Sequence, residues 1–351
     1  MRTIQLQINV RTPLIYLAVF TLLVGSCLVC QNLRAAELDL KTVDIDHPPG
    51  QRVDVGGYKL HIYCVGQGSP TVVLESGIGG FSLEWVDVQS TLSKQMRVCT
   101  YDRAGYGWSD RSPLPRTAGV MAGELHKLLA RSGVPGPYLL AGHSFGGYII
   151  RYYAGDYPEE VSGLVLIDAS HPEQFKYFPK PPAVENHQQD YPRSFTVHVL
   201  RPAYPAKYPQ RVRNLAYLLM VRKRSVEVQL EEVNHFEESG QQLVQQGAHL
   251  PDIPVTVLSR GSRVWPDTRY GDAMEIAWKN LQDDLAHLTL HTSHLIVANS
   301  GHAIHLDQAR AVTDSIMDNV QTAYWLAARS NLVAGVTSES GVLGSRTLSR
   351  Q

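Results

Sequence analysis

Short apolar runs alternate along the chain with longer stretches in which apolar residues recur at helical spacing. Residues 118–133 and 148–158 have this helical spacing, and residues 52–68 predict a hairpin around Gly56-Gly57. The apolar runs are TVVLES (71–76), RVCTYD (97–102), YLLAG (138–142), LVLIDA (164–169), VTVLS (255–259) and HLIVAN (294–299). The first five are typical of strands buried on both faces of a sheet. This alternation predicts an α/β protein with helices on both faces of its sheet.

One long segment interrupts the alternation. Residues 171–251 are first rich in proline and then helical in spacing, without a further strand. An insertion of that length between two sheet strands is usually a lid or a cap. We therefore expect a core formed by 52–170 and 252–330, and a cap over 171–251. The Ser- and Gly-rich residues 331–351 have no clear period and predict a flexible tail.

The N-terminal segment carries no charge between residues 13 and 30 and is preceded by Arg2 and Arg11. Its length lies between that of a signal-peptide core and that of a membrane-spanning helix, so a cleaved signal peptide, an uncleaved anchor and a lipoprotein signal all stay open. We expect residues 1–36 to be a signal peptide or membrane anchor and residues 37–51 to be a linker. The segment predicts export or membrane association, with the folded part on the periplasmic or extracellular side of a bacterial-type membrane.

Composition and charge narrow the classes of function. The 351 residues are 44% apolar and 19% charged, as in an ordinary globular protein with a sizeable core. A formal net charge of −1 gives no reason to expect nucleic acid as a partner, and a small molecule is the expected ligand. The sequence has no cysteine pair at zinc spacing and no Walker-type glycine motif. It indicates neither a metal nor an organic cofactor, and it leaves the oligomeric state open.

The sequence LLAGHSFGGYII (139–150) joins an apolar run directly to a helical stretch through a glycine-rich turn. A G-x-S-x-G motif in that setting holds its serine on a strained strand-to-helix turn, where the hydroxyl is exposed for attack. Gly142 and Gly146 fit the close backbone packing that such a turn imposes. The following helix also points N–H groups towards the place where negative charge develops. We therefore expect Ser144 to be a nucleophile.

Two backbone N–H groups are candidates for stabilising an oxyanion. The first belongs to Phe145, the residue after the nucleophile, and the second to Ile78 in the glycine-rich loop ESGIGGFS (75–82). Gly77 and its neighbours allow this loop to approach the reaction centre closely. Ile78 and Phe145 are therefore the expected oxyanion hole.

A serine nucleophile needs a base, and the base needs an acid that orients it. His302 lies in ANSGHAIHLDQ (298–308), directly after the last apolar run, and is the expected base. Two H-x-x-H pairs in this region invite a zinc interpretation, but no carboxylate or cysteine cluster completes the ligand set. His291, His294 and His305 are therefore expected to be solvated or to lie at the edge of the core.

The acid has two candidate positions. Asp168 ends the run LVLIDA, at the C-terminal end of a predicted strand, where open α/β sheets keep their sites. A buried carboxylate there needs a partner, and an imidazolium is a natural one. The other position is the loop after the next-to-last strand, where Val264 stands at the usual place and Asp267 or Asp272 would have to substitute. We favour Asp168 and keep Asp267 as the alternative acid.

Between about residues 52 and 330 the chain resembles the α/β-hydrolase superfamily, and in particular its bacterial, esterase-like hydrolases with a serine nucleophile. The resemblance rests on the ordered blocks PTVVLESGIGG, RVCTYDRAGYGWSD, GHSFGG and LVLIDASHPEQ, and on a Gly-His pair near the end. It implies the α/β-hydrolase fold, with an eight-stranded, mostly parallel sheet and a helical cap inserted after strand six. The implied strand order makes the strands of Cys64 and Cys99 neighbours, so that either a disulfide or two buried thiols would fit.

Haloalkane dehalogenases are similar in placing the acid at the end of the strand that follows the nucleophile's helix, and this similarity supports Asp168. Their nucleophile is an aspartate, as it is in epoxide hydrolases. The serine at position 144 therefore argues against both of these activities.

The sequence as a whole predicts a serine hydrolase that cleaves carboxylic esters through an acyl-enzyme. Ser144 would attack, His302 would transfer the proton and Asp168 would orient His302. Hydrolysis of a C–C or amide bond and perhydrolysis are alternatives, because a triad does not by itself select the bond. A non-catalytic binding module on the same fold is the alternative from another class, and the intact Ser-His-Asp set argues against it.

Overall fold

A single eight-stranded sheet forms the centre of the computed structural model, which describes residues 45–180, 208, 210–247 and 250–342. The strand order is β1-β2-β4-β3-β5-β6-β7-β8. The strands are β1 (Gln51–Asp54), β2 (Lys59–Val65), β3 (Thr71–Glu75), β4 (Val98–Tyr101), β5 (Tyr138–His143), β6 (Val161–Ile167), β7 (Val255–Arg260) and β8 (Thr292–Val297). The first two pairings, β1 with β2 and β2 with β4, are antiparallel and the others are parallel. The predicted mostly parallel, eight-stranded sheet is confirmed.

Helices follow most of the strands. Within the described residues they are α1 (Val86–Leu92), α2 (Ala118–Arg131), α3 (Gly146–Asp156), α4 (Gln174–Tyr177), α5 (Gln210–Met220), α6 (Lys223–Asn234), α7 (Phe236–Gln246), α8 (Arg269–Leu285), α9 (Ile304–Asp307) and α10 (Ala309–Val342). Threonine caps begin two of them: the side chains of Thr117 and Thr268 accept hydrogen bonds from the first turns of α2 and α8. In this part of the chain, no helix is both long enough and apolar enough to cross a bilayer.

The middle strands are covered by helices on both faces. Every residue of β3, β5 and β7 is buried, which explains why their sequences are apolar at consecutive positions instead of alternating. One hydrophobic cluster joins the sheet to α2 and α3 through residues such as Leu125 and Ile149. A second joins the opposite face to α1 and α10 through residues such as Val88 and Ile316. The C-terminal ends of the parallel strands are thereby held at one edge, where the candidate site lies.

The predicted hairpin is formed by β1 and β2, and Gly56 and Gly57 take positive φ angles in its turn. Cys64 of β2 lies directly opposite Cys99 of β4, and their sulfurs form a disulfide. Of the two states that the resemblance allowed, the structure contains the disulfide. It ties the antiparallel edge of the sheet to the parallel centre.

The predicted insertion lies between β6 and β7. Its described part consists of α4 to α7, while residues 181–207, 209 and 248–249 lie outside the described residues. The expected tail differs from the structure, because α10 continues beyond residue 331 as far as Val342. Once a helix is established, each further residue extends it at little cost, and the preceding turns of α10 provide that start.

The N-terminal predictions concern residues that the structure does not describe. Residues 1–44 lie outside the described part, so the signal peptide or anchor at 1–36 stays a prediction. The expected linker ends slightly earlier than predicted, since Gln51 is already the first residue of β1.

Candidate active site

Ser144 lies on the tight turn between β5 and α3. Its φ of +51° is in the left-handed region, which residues other than glycine rarely adopt. Close packing imposes this turn: a Cβ on Gly142 would lie 2.7 Å from the carbonyl oxygen of Gly146, and one on Gly146 would lie 2.7 Å from that of Ser76. Only glycine fits at these two positions. The serine therefore sits on a strained strand-to-helix turn, with its side chain partly accessible.

His302 and Asp168 come together although 134 residues separate them in the sequence. Nδ1 of His302 lies 2.6 Å from Oδ2 of Asp168. The Asp168 side chain is fully buried after β6, whereas the His302 side chain is 22% exposed. A buried carboxylate at Nδ1 selects the imidazole tautomer whose Nε2 accepts a proton.

The Asp168 carboxylate is surrounded by N–H donors. Oδ2 also accepts a hydrogen bond from Nη1 of Arg260 at 3.0 Å, and Oδ1 accepts from Nε1 of Trp278 at 2.9 Å and from the backbone N–H of Arg260 at 3.3 Å. Burial by itself raises the pKa of Asp168, but the charge of Arg260 and the contact with His302 outweigh it. The pKa of Asp168 therefore lies well below its usual range, and the carboxylate is ionised at neutral pH.

The alternative acids lie on the surface. The Asp267 side chain is 98% exposed and stands 4.0 Å from Arg263. Asp272, in the first turn of α8, pairs with the same arginine at 2.5 Å. The structure thus brings Asp168, and not Asp267, to His302.

The base and the serine turn meet through His143, the residue before the nucleophile. Nε2 of His143 lies 2.9 Å from the carbonyl oxygen of His302. The centres of the two imidazole rings are 4.7 Å apart. This contact places the histidine loop directly beside the serine turn.

The glycine-rich loop after β3 packs against the same turn. A Cβ on Gly77 would lie 2.9 Å from Nδ1 of His143 and 3.2 Å from Cβ of Ser144, so a larger residue would push the loop away. Ile78 is partly buried in this loop, and Phe145 is buried at the start of α3. Within the described ranges, neither of their backbone N–H groups donates a backbone hydrogen bond. Both donors are therefore available to a ligand.

A buried ion network supports the glycine-rich loop. Arg103 donates from Nη1 to Glu75 at 2.6 Å, from Nη2 to the carbonyl oxygen of Gly77 at 2.7 Å, and from Nε to Glu232 at 2.8 Å. Burial raises the pKa of Glu75 to about 7, although Arg103 and Tyr101 lower it in part. Because Glu232 belongs to α6, this network joins the insertion to the loop that carries Ile78.

Helix α6 places a second polar side chain against this loop. A Cβ on Gly79 would lie 2.5 Å from Nε2 of Gln229. Gln229 is buried, and its Nε2 has no hydrogen-bond partner among the described residues. It is therefore a candidate substrate contact.

Sequence reasoning missed four of these supporting residues: Arg260, Trp278, Glu232 and Gln229. Arg260 ends a strand, VTVLSR, that is buried throughout and carries no other charge, and a charge at such a position is the one signal that pointed to it. Glu232 and Gln229 stand on an amphipathic helix, where a polar residue is ordinarily taken to face solvent. Trp278 stands on another such helix, where an aromatic residue is ordinarily taken as part of the core.

Comparison with known proteins agrees with this architecture. Residues 70–201 match the sequence model of the alpha/beta hydrolase fold family. The uncharacterized protein YqjL of Bacillus subtilis is 28% identical over 255 residues, which is 72% of this chain and 84% of YqjL. A second uncharacterized protein of that organism, YbdG, is 35% identical over 128 residues, which is 36% of this chain and only 39% of YbdG.

Solved structures share the fold at low sequence identity. A thermophilic esterase from Thermogutta terrifontis is similar with a TM-score of 0.55 and 19% identity, over 78% of this chain and 99% of that one. An enol-lactonase from Burkholderia xenovorans LB400 is similar with a TM-score of 0.53 and 17% identity, over 77% of this chain and 100% of that one. The family match over residues 70–201 and the shared architecture lead to one conclusion: this chain has the α/β-hydrolase fold, and it is a hydrolase.

Proposed function

We propose that this hydrolase cleaves carboxylic esters through an acyl-enzyme, with Ser144 as nucleophile, His302 as base and Asp168 as the acid that orients the base. The observation that carries the proposal is the 2.6 Å contact between His302 and the buried carboxylate, formed beside a serine on a strained turn. A hydroxyl, an imidazole and a buried carboxylate in this order are the groups that make a serine nucleophilic at neutral pH.

Each group of the site has a separate role in the proposed reaction. Oγ of Ser144 attacks the ester carbonyl carbon while its proton passes to Nε2 of His302. The N–H groups of Ile78 and Phe145 hold the oxyanion of the tetrahedral intermediate. The intermediate collapses when the C–O bond to the alcohol breaks, and the alcohol leaves with the proton from His302. Water then attacks the acyl-enzyme by the same steps and releases the acid and the free serine.

Asp168 acts in this scheme by its charge and its position. Arg260 keeps the pKa of Asp168 low, so the proton that His302 takes from the serine stays on the imidazole. The imidazolium formed in the transition state then faces a full negative charge at Nδ1. Removal of that charge is expected to slow both acylation and deacylation.

The substrate is proposed to be a small-molecule ester, selected by the insertion acting as a cap. Two similar structures are named as an esterase and an enol-lactonase, and both names denote cleavage of an ester bond. Helix α6 reaches the glycine-rich loop through Glu232 and Gln229, which supports a role of the insertion in substrate contact.

The location is proposed to be outside the cytoplasm, by export or by membrane association through the N-terminal segment. The disulfide between Cys64 and Cys99 supports this, because such bonds persist in oxidising compartments.

Labelling with a fluorophosphonate probe, followed by hydrolysis of p-nitrophenyl esters of graded acyl length, tests the proposal. We expect one label on Ser144, none on Ser144→Ala, and turnover of esters well above that of matched anilides. An unlabelled wild-type protein would exclude a reactive serine. A protein that is labelled but does not turn over esters would contradict ester hydrolysis. If it instead cleaves an anilide or a C–C bond, or forms a peracid, that activity would replace ester hydrolysis as the proposed function.

A further inference from the structure

Three buried side chains with metal-binding atoms converge behind the serine turn, outside the proposed triad. Glu84 lies in a 3₁₀ turn after β3, His143 ends β5 and His305 lies in α9; they are 3%, 8% and 1% exposed. One carboxylate oxygen and one nitrogen of each histidine lie within 4.8 Å of one another. Elsewhere in the described chain, no set of three His, Cys, Asp or Glu side chains meets this spacing.

Four polar atoms of this cluster have no hydrogen-bond partners among the described residues. They are Oε1 of Glu84, Nδ1 of His143 and both ring nitrogens of His305. A buried polar atom without a hydrogen-bond partner destabilises the folded state, so proteins rarely collect several in one place. Their convergence indicates that the cluster holds something that these atoms bind.

We propose that the cluster binds one divalent transition-metal ion, with zinc as the best match. Two imidazoles and one carboxylate are a recurring ligand set for zinc. Oε1 of Glu84 lies 3.6 Å from Nε2 of His305. Two ligand atoms at the usual zinc distance of ~2.1 Å stand roughly 3.4 Å apart in a tetrahedral site, so this pair needs little movement.

His143 also makes the outer contact that is typical of a metal-bound histidine. Its Nε2 lies 2.9 Å from the carbonyl oxygen of His302 and donates to it in the neutral tautomer that leaves Nδ1 unprotonated. Nδ1 is the atom of His143 that lacks a partner, so it is the nitrogen available to the ion. A water molecule would complete the four ligands.

The position of the site suggests what the ion would do. His143 directly precedes the proposed nucleophile, and His305 follows the proposed base by three residues. An ion bound to both would fasten the serine turn to the histidine loop without touching the reacting atoms. The sequence did not indicate this set, because Glu84 and His143 lie far in the sequence from the H-x-x-H pairs.

Metal uptake by the full-length protein tests the proposal. The protein, purified without a polyhistidine tag and treated with chelator, is incubated with Zn²⁺ or with Co²⁺, desalted and analysed by elemental mass spectrometry. We expect about one ion per chain, a higher melting temperature with Zn²⁺, and the strong visible absorption bands of four-coordinate Co²⁺.

Glu84→Gln and His305→Gln each remove one ligand with little change in volume, and we expect either change to weaken binding by about tenfold or more. His294→Gln is the matched control, since this histidine pairs with Asp283 near the surface and should leave uptake unchanged. Wild-type protein that takes up no ion, or uptake that survives in both ligand variants, overturns the proposal.

If neither variant folds, the visible spectrum of the wild-type protein with Co²⁺ tests the proposal. A spectrum without the bands of four-coordinate Co²⁺ overturns it. None of these measurements uses ester hydrolysis, so the metal site and the proposed hydrolytic function stand or fall separately.

Discussion

The substitution Asp168→Asn separates the two candidate acids with almost no change in side-chain volume. All four hydrogen bonds of the carboxylate come from N–H donors: His302, Arg260 twice, and Trp278. An amide has only one acceptor oxygen, so its NH₂ group must face donors on one side. If it faces His302, Nδ1 has to be unprotonated, and the ring proton then occupies Nε2. His302 in that tautomer does not accept the proton of Ser144.

The magnitude follows from this tautomer. Loss of the correct imidazole tautomer in a Ser-His-Asp triad costs about 10⁴-fold in kcat. At 1.36 kcal/mol for each factor of ten, this is about 5.4 kcal/mol of transition-state stabilisation. In the opposite orientation the NH₂ group faces Trp278 and the Arg260 backbone, which leaves unpaired donors that cost about 1–3 kcal/mol each in stability. Arg260 keeps its 3.1 Å contact with Glu275, so the variant is expected to fold with a lower melting temperature.

The assay is p-nitrophenyl ester hydrolysis, with kcat and KM measured separately and thermal unfolding followed in parallel. Asp267→Asn is the control, because its side chain is 98% exposed, and we expect its kcat to stay within about twofold of wild type. A folded Asp168→Asn enzyme that keeps kcat within about tenfold of wild type would refute the reasoning. A slow Asp267→Asn enzyme would move the acid to the later loop.

Three further predictions concern stability. Replacing Cys64 and Cys99 by serine opens a loop of 35 residues and should lower the unfolding free energy by about 4 kcal/mol in urea titrations; a loss below 1 kcal/mol would contradict this. Because the pKa of Glu75 rises from 4.5 to about 7 on folding, its contribution is complete below about pH 4.5 and is lost as the pH rises through 7. Glu75→Gln should therefore flatten the decline of stability over that interval, and an unchanged slope would count against the assignment. Arg103→Met leaves two buried carboxylates without their cation and should cost about 3–5 kcal/mol, which Glu232→Gln made in the same protein should partly restore.

The sheet was predictable because its central strands are buried on both faces. Short runs rich in apolar and β-branched residues, such as TVVLE and VTVLSR, leave little alternative to a parallel strand under helices on both sides. The limits of α10 were less predictable, since residues beyond 331 carry no period and the helix extends from turns that are already formed. The local sequence pattern thus predicts the position of a strand more accurately than it predicts the end of a helix.

The candidate site was predictable to the extent that its residues belong to short motifs. Ser144 and Asp168 directly follow β5 and β6, and His302 lies in the loop after β8, so their local sequence contexts indicated where each of them lies. Arg260 and Glu232 have no such context, because their importance depends on partners brought close only by the fold. The same holds for the cluster of Glu84, His143 and His305, because these residues come from three separate segments of the chain.

The ion pair between Arg103 and Glu232 limits how interchangeable the insertion is. Enzyme engineers often exchange such segments between relatives to change substrate range, as if they were independent modules. Here a transplanted segment without a carboxylate at the place of Glu232 would leave a buried guanidinium short of one of its two anionic partners. A productive exchange would therefore retain α6 from this chain, or carry Arg103 and its partners along with the new segment.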